Sequence, residues 1–174
     1  MKFEKVSFGA FIADVRKYIA RDSIGIEEAR YAWKNINIPE RKTKYSAGYD
    51  ICTPFDIAIP SGCTITVPTG IRVIFNDDEI STWHLQMYVR SSVGIRDHVV
   101  LTNGTGVIDS DYQFADNEGD MMLALFNMSP NTVKYKAGDR ICQAVFCYHG
   151  ITENDNADAR RTGGIGSTNE GQRD

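Results

Sequence analysis

Several features that would define a protein class are missing from this sequence. It has four cysteines and three histidines in 174 residues. No two cysteines form a CxxC pair, and none lies beside a histidine at the spacing of zinc ligands. We therefore expect buried or half-buried free thiols rather than disulfides or a zinc site. The N-terminal apolar residues are interrupted by Asp14 and Arg16, so they form neither a signal peptide nor a membrane span. These absences predict a cytoplasmic protein.

The chain also has fewer positively than negatively charged side chains. The 19 Lys and Arg residues are outnumbered by 23 Asp and Glu residues, which gives a formal net charge of −4. Such a chain has no general electrostatic attraction for nucleic acid or an anionic membrane, so we expect neither partner. A local cluster would have to hold any phosphate-bearing ligand, which favours a small ligand over a polymer. The length fits a single domain.

Two helical stretches precede a long series of strand-like runs. Apolar residues recur at helical spacing behind Ser7, a candidate N-cap, and "IEEARYAW" after Gly25 predicts a second helix. The period then becomes that of strands, in short β-branched or aromatic runs bounded by turn residues: "ICTPFDIAIPSG", "CTITVPTGIRVIF", "STWHLQMYV", "HVVLT", "MMLALFN" and "ICQAVFCY". This pattern predicts an all-β sandwich or barrel rather than a βαβ fold.

Five segments rich in glycine and polar residues lie between these runs. They are "SAGYDI" (46–51), "VRSSVG" (89–94), "NGTGVIDSDYQ" (103–113), "AGDRICQ" (137–143) and "RRTGGIGSTN" (160–169). The second and fifth combine guanidinium groups, hydroxyls and accessible backbone N–H groups, which suit an anion. Each of these two alone could equally be a solvated turn. The third looks like a hairpin, and it places Asp109, Asp111 and Tyr112 directly after Val107 and Ile108, which is more than a turn requires.

The order of the five segments closely resembles that of the trimeric dUTPase family, the dUTP nucleotidohydrolases. "AGYDI", "RSSVG", "NGTGVIDSDYQ", "GDRICQ" and "GGIGSTN" are similar to that family's first to fifth motifs. The resemblance runs from about Ile38 to Asn169. It implies a dUTPase-like all-β jelly roll over residues 38–156, with an N-terminal helical extension over 1–37. Residues 157–174 would form a mobile glycine-rich tail that closes the site.

The resemblance also implies an activity. In this family water attacks the α-phosphorus of dUTP, with Mg²⁺ bound, and releases dUMP and pyrophosphate. The reaction limits uracil in DNA and supplies dUMP for dTTP synthesis. The family implies a homotrimer with active sites shared between subunits, and a tail without a core of its own would gain order by lying across a neighbour.

Roles for individual residues follow from the same resemblance. Asp109 would hold the attacking water, and Asp50 would contact Mg²⁺ through a water molecule. Gln143 would hydrogen-bond near the phosphates, and the Tyr112 ring would leave no room for a 2′-hydroxyl. The other substrate-binding residues would be Arg90, Ser91 and Ser92 at the α- and β-phosphates, Asn103, Gly106, Val107 and Ile108 at the uracil, and Arg160, Gly166, Ser167 and Thr168 at the γ-phosphate.

Other roles stay open when the residues are considered alone. Asp50 could cap a turn before Pro54, and Tyr112 could be an aromatic residue at the end of a strand. Arg140 is best explained as a structural partner of Asp139 in a hairpin turn. The tail arginine is ambiguous as well: spacing favours Arg160, although its neighbour Arg161 is chemically equal.

The sequence departs from the family pattern at the cover of the uracil. Family members usually have an aromatic residue in the fifth motif, where this chain has Ile165. "FADNE" (114–118) looks like an insertion after the third motif, and its Phe114 could supply the missing ring. Phe114 could instead pack under its own loop, which we favour, so that Ile165 is the cover. The N-terminal extension should pack on the outside of the core, although it could also bind a protein partner.

Two other functions compete with dUTP hydrolysis. A dCTP deaminase-like enzyme of the same fold would need a glutamate-centred site beside the third motif, where this chain reads Asp-Ser-Asp-Tyr. A zinc deaminase is excluded because there is no H-x-E with P-C-x-x-C. A catalytically silent, dUTP-sensing interaction protein remains possible through the N-terminal extension, although every chemical motif position is filled.

Overall fold

The computed structural model describes residues 1–19, 24–159, 161 and 163. Two helices, α1 (Phe8–Tyr18) and α2 (Ile26–Asn35), lie near the N-terminus. Two short helical turns, Ser92–Arg96 and Ser110–Phe114, interrupt the strands. The strands are β1 Lys2–Lys5, β2 Tyr49–Cys52, β3 Ile57–Ile59, β4 Thr64–Pro68, β5 Ile71–Ile74, β6 Trp83–Val89, β7 Val99–Leu101, β8 Gly106–Ile108, β9 Met122–Asn127, β10 Val133–Tyr135 and β11 Arg140–Tyr148. All six predicted strand-like runs contain strands, so that prediction is confirmed.

The strands pair in antiparallel sheets around one core. The two larger sheets have the orders β2-β11-β6-β8 and β4-β9-β7, and two-stranded sheets join β1 to β5 and β10 to β3. Leu85 and Ile141 of the first large sheet belong to the same buried cluster as Val67 and Leu123 of the second. The core is therefore enclosed between sheets, as the all-β prediction requires.

Alternating burial explains why these residues form strands. In β9 every second side chain is buried, and Leu123 and Leu125 are fully enclosed. The third of these, Asn127, is a buried polar residue whose amide donates to the backbone oxygens of Ile59 and Asn131, at 2.8 Å each. Period-two alternation thus places one face of the strand in the core and satisfies its single polar member.

The N-terminal segment packs on this core. The Ser7 hydroxyl accepts the Ala10 N–H at 3.2 Å, which confirms the predicted N-cap of α1. The Phe11 ring stacks on Phe55 with centroids 5.6 Å apart, and both belong to a second buried cluster, while Phe3 packs against the core between the sheets. The strand β1 was not predicted, because "KFEK" is short and mostly charged, yet it pairs with β5 along its whole length. The boundary of the extension at residue 37 stays a prediction.

The cysteine prediction is correct for three of the four thiols. Cys142 is buried, while Cys52 and Cys147 are half-buried; all four cysteines are free. Cys63 is exposed, contrary to the prediction, because it lies in a tight turn after Gly62, which has a φ of +70°. In the part of the chain that the structure describes, no helix is both long and apolar enough to cross a membrane.

Candidate active site

A cavity of about 280 Å³ opens between the two large sheets. Its lining includes Met87 of β6 in the first large sheet, and Met122 and Ala124 of β9 in the second. Six predicted site residues line this cavity together with Arg161: Asn103, Gly106, Val107, Ile108, Asp109 and Tyr112. We call this cavity and its lining residues the pocket.

The segment of the third motif connects two different sheets. We expected a hairpin, but β7 pairs with β9 and β8 pairs with β6. The hairpin prediction is wrong because each arm already has its ladder partner in a separate sheet. The arms therefore diverge after the turn at Gly104, where φ is +72°, and the pocket lies between them. As the last strand of its sheet, β8 has an outer edge of backbone groups that no described strand pairs with.

Asp109 stands at the entrance to the short helical turn Ser110–Phe114. Its carboxylate is half exposed and accepts a short hydrogen bond from Arg161, whose Nε also donates to Asp111 Oδ1 at 2.8 Å. The Arg161 guanidinium lies 5.8 Å from the centroid of the Tyr112 ring. Arg161 therefore brings positive charge to the pocket. The sequence alone does not decide between the two tail arginines, and it indicates no role for Asp111.

Tyr112 is held firmly in the wall of the pocket. Its side chain is 6% exposed, and its hydroxyl donates to the backbone oxygen of Asp120 at 2.9 Å. The hydroxyl also accepts from Asn117 Nδ2 at 3.0 Å. Burial raises the pKa of Tyr112 to about 12, so the phenol stays neutral. Tyr112 lies in the helical turn, not at the end of a strand.

A second group of predicted residues meets on the sheet β2-β11-β6-β8. Asp50 Oδ1 lies 3.1 Å from Arg90 Nε, and its Oδ2 lies 2.9 Å from Arg140 Nη1. Gln143 is directly opposite Asp50 in the ladder between β11 and β2. We call Asp50, Arg90, Arg140 and Gln143 the arginine cluster. It is built from three motifs that are far apart in sequence.

The arginine cluster corrects two structural interpretations. Asp50 does not cap a turn, because it lies within β2 and both of its oxygens meet guanidinium groups. Arg140 is not the hairpin partner of Asp139, whose carboxylate instead accepts the Lys136 N–H at 2.7 Å. Since Arg140 opens β11, its side chain can reach across to β2.

Gln143 approaches the backbone of the first motif closely. A Cβ atom on Gly48 would lie 2.5 Å from Gln143 Oε1, closer than real contacts allow. The glycine of "AGYDI" therefore makes the space in which the Gln143 amide lies. Ser91 is exposed and Ser92 is half-buried beside this group, directly after Arg90, whose N–H donates to the Ile141 oxygen at 3.0 Å.

Among the described residues, the lining of the pocket includes no member of the arginine cluster. Asp50 of β2 and the residues of β8 are separated by β11 and β6, or three strand spacings. Neighbouring strands lie ~4.8 Å apart, so the separation across the sheet is about 14 Å. Of the predicted residues, Arg160, Ile165, Gly166, Ser167 and Thr168 lie outside the described part of the chain.

Phe114 is more exposed than we expected. Its side chain is 67% exposed, and it lines a second cavity of about 560 Å³ with Asp111, Ala159 and Arg161. The prediction that Phe114 packs under its own loop is therefore wrong. Its neighbour Ala115 is buried instead, at 5% exposed, and belongs to the core cluster. Arg161 lines both this cavity and the pocket.

The described residues include no group of three His, Cys, Asp or Glu side chains that could hold a metal ion directly. The donor set of the arginine cluster suits a hydrated ion instead. A carboxylate offers about four lone-pair sites, so the two ion pairs of Asp50 leave sites for metal-bound waters. Mg²⁺ commonly keeps several waters and binds through substrate phosphates.

Comparison with known proteins places these motifs in a family. The dUTPase family model matches residues 34–169. The deoxyuridine 5'-triphosphate nucleotidohydrolase of Lactococcus lactis subsp. lactis (strain IL1403) is 37% identical over 142 residues, which are 80% of this chain and 92% of that protein. The protein of the same name from Hydrogenovibrio crunogenus (strain DSM 25203 / XCL-2) is 34% identical, over 78% of this chain and 88% of its own.

Solved structures share the fold. The dUTPase crystal structure from Streptococcus mutans has a TM-score of 0.66 and 28% identity, and it covers 88% of this chain and 100% of its own. A dUTPase variant from phage phi11 of S. aureus, described with a structural Mg(II) ion, has a TM-score of 0.59. At 19% identity, over 74% of this chain and 94% of its own, that likeness shows the fold alone. The dUTPase-like all-β prediction is confirmed, and the chain belongs to the dUTPase family.

Proposed function

We propose that this protein is a dUTP diphosphatase that hydrolyses dUTP to dUMP and pyrophosphate. One observation carries the proposal: a single pocket contains the edge of β8, the Tyr112 ring and the Asp109 carboxylate. Groups that can bind the base, contact the sugar and hold the attacking water thus surround one cavity. The family relationship supports the same assignment.

In this proposal the outer edge of β8 reads the uracil. Fixed backbone N–H and C=O groups between Gly106 and Ile108 pair with the uracil edge, and the exposed Asn103 amide adds a further contact. Fixed groups discriminate well, because the wrong base leaves them unpaired. The buried Tyr112 ring meets the deoxyribose and excludes a 2′-hydroxyl.

Asp109 binds the water that attacks the α-phosphorus and accepts its proton. Its half-exposed carboxylate can reach such a water. Arg161 now pairs with Asp109 and Asp111, and in the proposal its guanidinium turns to the incoming phosphate. This exchange frees Asp109 for the water as the negative charge of the substrate enters.

The arginine cluster and the two serines receive the phosphates. Arg90, Ser91 and Ser92 contact the α- and β-phosphates, and Gln143 hydrogen-bonds beside them. Asp50 holds the arginine side chains and would hold a hydrated Mg²⁺ ion through the ion's waters. When bound, Mg²⁺ neutralises charge on the triphosphate oxygens. Arg160, Gly166, Ser167 and Thr168 close over the γ-phosphate, and Ile165 or Phe114 covers the uracil.

We also propose a homotrimer in which the pocket of one subunit and the arginine cluster of another form each site. Within one chain Asp50 lies three strand spacings, or about 14 Å, across the sheet from β8, and this separation supports the arrangement. We place the protein in the cytoplasm, where its free thiols fit a reducing compartment. There it would limit uracil in DNA and supply dUMP. A protein partner of the N-terminal extension would contact the outer face of α2, where Ile26 and Tyr31 are exposed.

Pyrophosphate release tests the proposed function. We expect rapid release from dUTP with Mg²⁺, and little from UTP or dCTP. Conversion of dCTP to a deaminated product would favour a dCTP deaminase-like enzyme instead. Tight binding of dUTP without hydrolysis would indicate a dUTP-sensing protein. Sedimentation tests the assembly, since a fully active monomer would contradict shared sites.

A further inference from the structure

Residues 114–120, which we call the 114–120 loop, follow the third motif and are hydrogen-bonded to the N-terminal segment. The Glu118 carboxylate accepts both the Ser7 N–H at 2.8 Å and the Ser7 hydroxyl at 2.6 Å, at the start of α1. Glu118 has a φ of +59°, which is unfavourable for a residue other than glycine. The contact with Ser7 therefore holds the loop in a conformation that its backbone alone does not favour.

A second link leads from α1 to the pocket itself. Asn117 Nδ2 donates to Asp14 Oδ2 at 3.2 Å and to the Tyr112 hydroxyl at 3.0 Å. Asp14 is 6% exposed on the inner face of α1, and burial raises the pKa of its carboxyl. One amide group thus joins a buried residue of the N-terminal segment to the phenol in the pocket wall.

The backbone keeps this amide in place. Asn117 Oδ1 accepts the Gly119 N–H at 3.2 Å. Gly119 has a φ of +78°, and a Cβ atom there would lie 2.9 Å from the backbone oxygen of Tyr112. The loop therefore closes tightly on the residue whose hydroxyl it contacts. A displacement of the Asn117 side chain would therefore also displace the Tyr112 hydroxyl.

We propose that Asn117 and Asp14 are positioning residues that set the Tyr112 ring, so that the N-terminal segment takes part in selecting deoxyribose over ribose. The inference rests on the proposed function, because it concerns the sugar filter of the same pocket. Neither residue contacts the substrate in this proposal. They act through the Tyr112 hydroxyl, which is held between Asn117 and the Asp120 carbonyl.

The expected effect falls on selectivity rather than on the chemical step. A net hydrogen bond contributes about 1 kcal/mol, which corresponds to a factor of about five. Without the Asn117 donor the ring gains freedom, and a ribonucleotide with its 2′-hydroxyl fits better. The ratio of kcat/KM for dUTP to that for UTP should fall about fivefold, while kcat for dUTP changes little.

The first test compares Asn117→Ala with Asn35→Ala. The control removes a similar bond, since Asn35 Nδ2 donates to the Tyr31 backbone oxygen at 2.8 Å within α2. We expect the dUTP/UTP ratio to fall for Asn117→Ala and to stay unchanged for Asn35→Ala. Asn117→Asp is a second variant of equal size, which keeps the acceptor for Gly119 and loses the donor. Asn117→Asp must also lower the dUTP/UTP ratio, and it provides the test if Asn117→Ala does not fold.

A double-mutant cycle with Tyr112→Phe separates positioning from general destabilisation. Asn117→Ala should have no further effect on the ratio in the Tyr112→Phe protein, because the hydroxyl through which it acts is gone. Equal effects in both backgrounds, or an unchanged ratio in the native background, would overturn the inference. A wild-type protein that does not cleave dUTP would refute the proposed function and this inference with it. An active wild type with an unresponsive ratio would refute the inference alone.

Discussion

The pocket and the arginine cluster are built in different ways. Most of the pocket comes from one continuous stretch, Leu101 to Tyr112, which two sheets hold open. The arginine cluster is assembled from residues 50, 90, 140 and 143 by the pairing of β2, β11 and β6. The pocket has apolar walls and is largely complete in one chain. The cluster is charged, and its two guanidinium groups share one carboxylate. If the proposed roles hold, recognition of the base is a local property, whereas binding of the phosphates depends on the sheet.

The largest effect should come from removing the carboxylate that ends the pocket stretch. Asp109→Asn should lower kcat by about a hundredfold or more, because the amide cannot accept the proton of the attacking water. Binding of a non-hydrolysable dUTP analogue should be retained. Asp111→Asn is the matched control, since the same arginine contacts both carboxylates. A near-normal kcat for Asp109→Asn would assign the base elsewhere.

A smaller effect is expected from the corresponding change in the arginine cluster. Asp50→Asn removes the charge between Arg90 and Arg140, and groups that orient metal-bound waters typically contribute about 10- to 100-fold to activity. We expect kcat/KM to fall within that range and the Mg²⁺ requirement to rise, as measured by titration with Mg²⁺. Asp56→Asn, which removes an exposed ion pair with Lys136, should leave both unchanged. Equal behaviour of the two variants would exclude Asp50 from the metal's surroundings.

The third and smaller effect is expected from replacing the residue that covers the uracil ring. Although the sequence favoured Ile165, Phe114 is exposed in a cavity that shares Arg161 with the pocket, and this favours its ring. Stacking of an aromatic ring on a base contributes ~1–2 kcal/mol, so Phe114→Ala should weaken binding of the dUTP analogue about tenfold. Met128→Ala, which truncates another exposed apolar side chain, should not weaken it. If Ile165→Phe tightens binding while Phe114→Ala is silent, the fifth motif supplies the cover.

The smallest effect concerns stability behind the pocket. Asp120 is fully buried, and its Oδ1 accepts the Gly70 N–H at 2.8 Å. Burial, and then the charge of Asp14, raise the pKa of Asp120 well above 3.8. The folded state thus binds this proton more tightly than the unfolded state. The resulting stability is complete below about pH 3.8 and is lost as the pH rises through the folded pKa.

Asp120→Asn should remove the loss of folding stability at rising pH, because an amide is neutral at every pH. The variant should match the wild type at low pH and unfold at a temperature a few degrees higher near neutral pH. Thermal unfolding between pH 4 and 8 measures the difference, and Asp116→Asn on the exposed part of the loop is the control. A constant difference across this range would show that Asp120 does not titrate in the folded state.

The sequence predicted the pocket better than the arginine cluster for a physical reason. A motif such as Asn103 to Tyr112 places its residues near one another by chain continuity alone. The pair of Asp50 with Arg140 depends on the register of β11, which shifts between Arg140 and Cys142. A shift of this kind leaves no periodic signal in the sequence.

The links between the N-terminal segment and the 114–120 loop were beyond sequence reasoning for a related cause. Ser7 and Glu118 are 111 residues apart, and Asp14 and Asn117 are 103 apart. Short polar residues in such positions look like ordinary surface residues until the fold brings them together. The helix α1 was predictable from its period, but its contact with the pocket loop was not.

The contact between Gly48 and the Gln143 amide has a consequence for how such chains can diverge. A methyl group at position 48 would lie 2.5 Å from the Gln143 amide oxygen, so the amide would have to turn away from the first motif. The two positions are almost a hundred residues apart in sequence, yet the residue at one decides the side-chain conformation at the other. A larger residue at position 48 would thus be accommodated by rotation of the flexible Gln143 side chain, which would move its amide away from the backbone of the first motif.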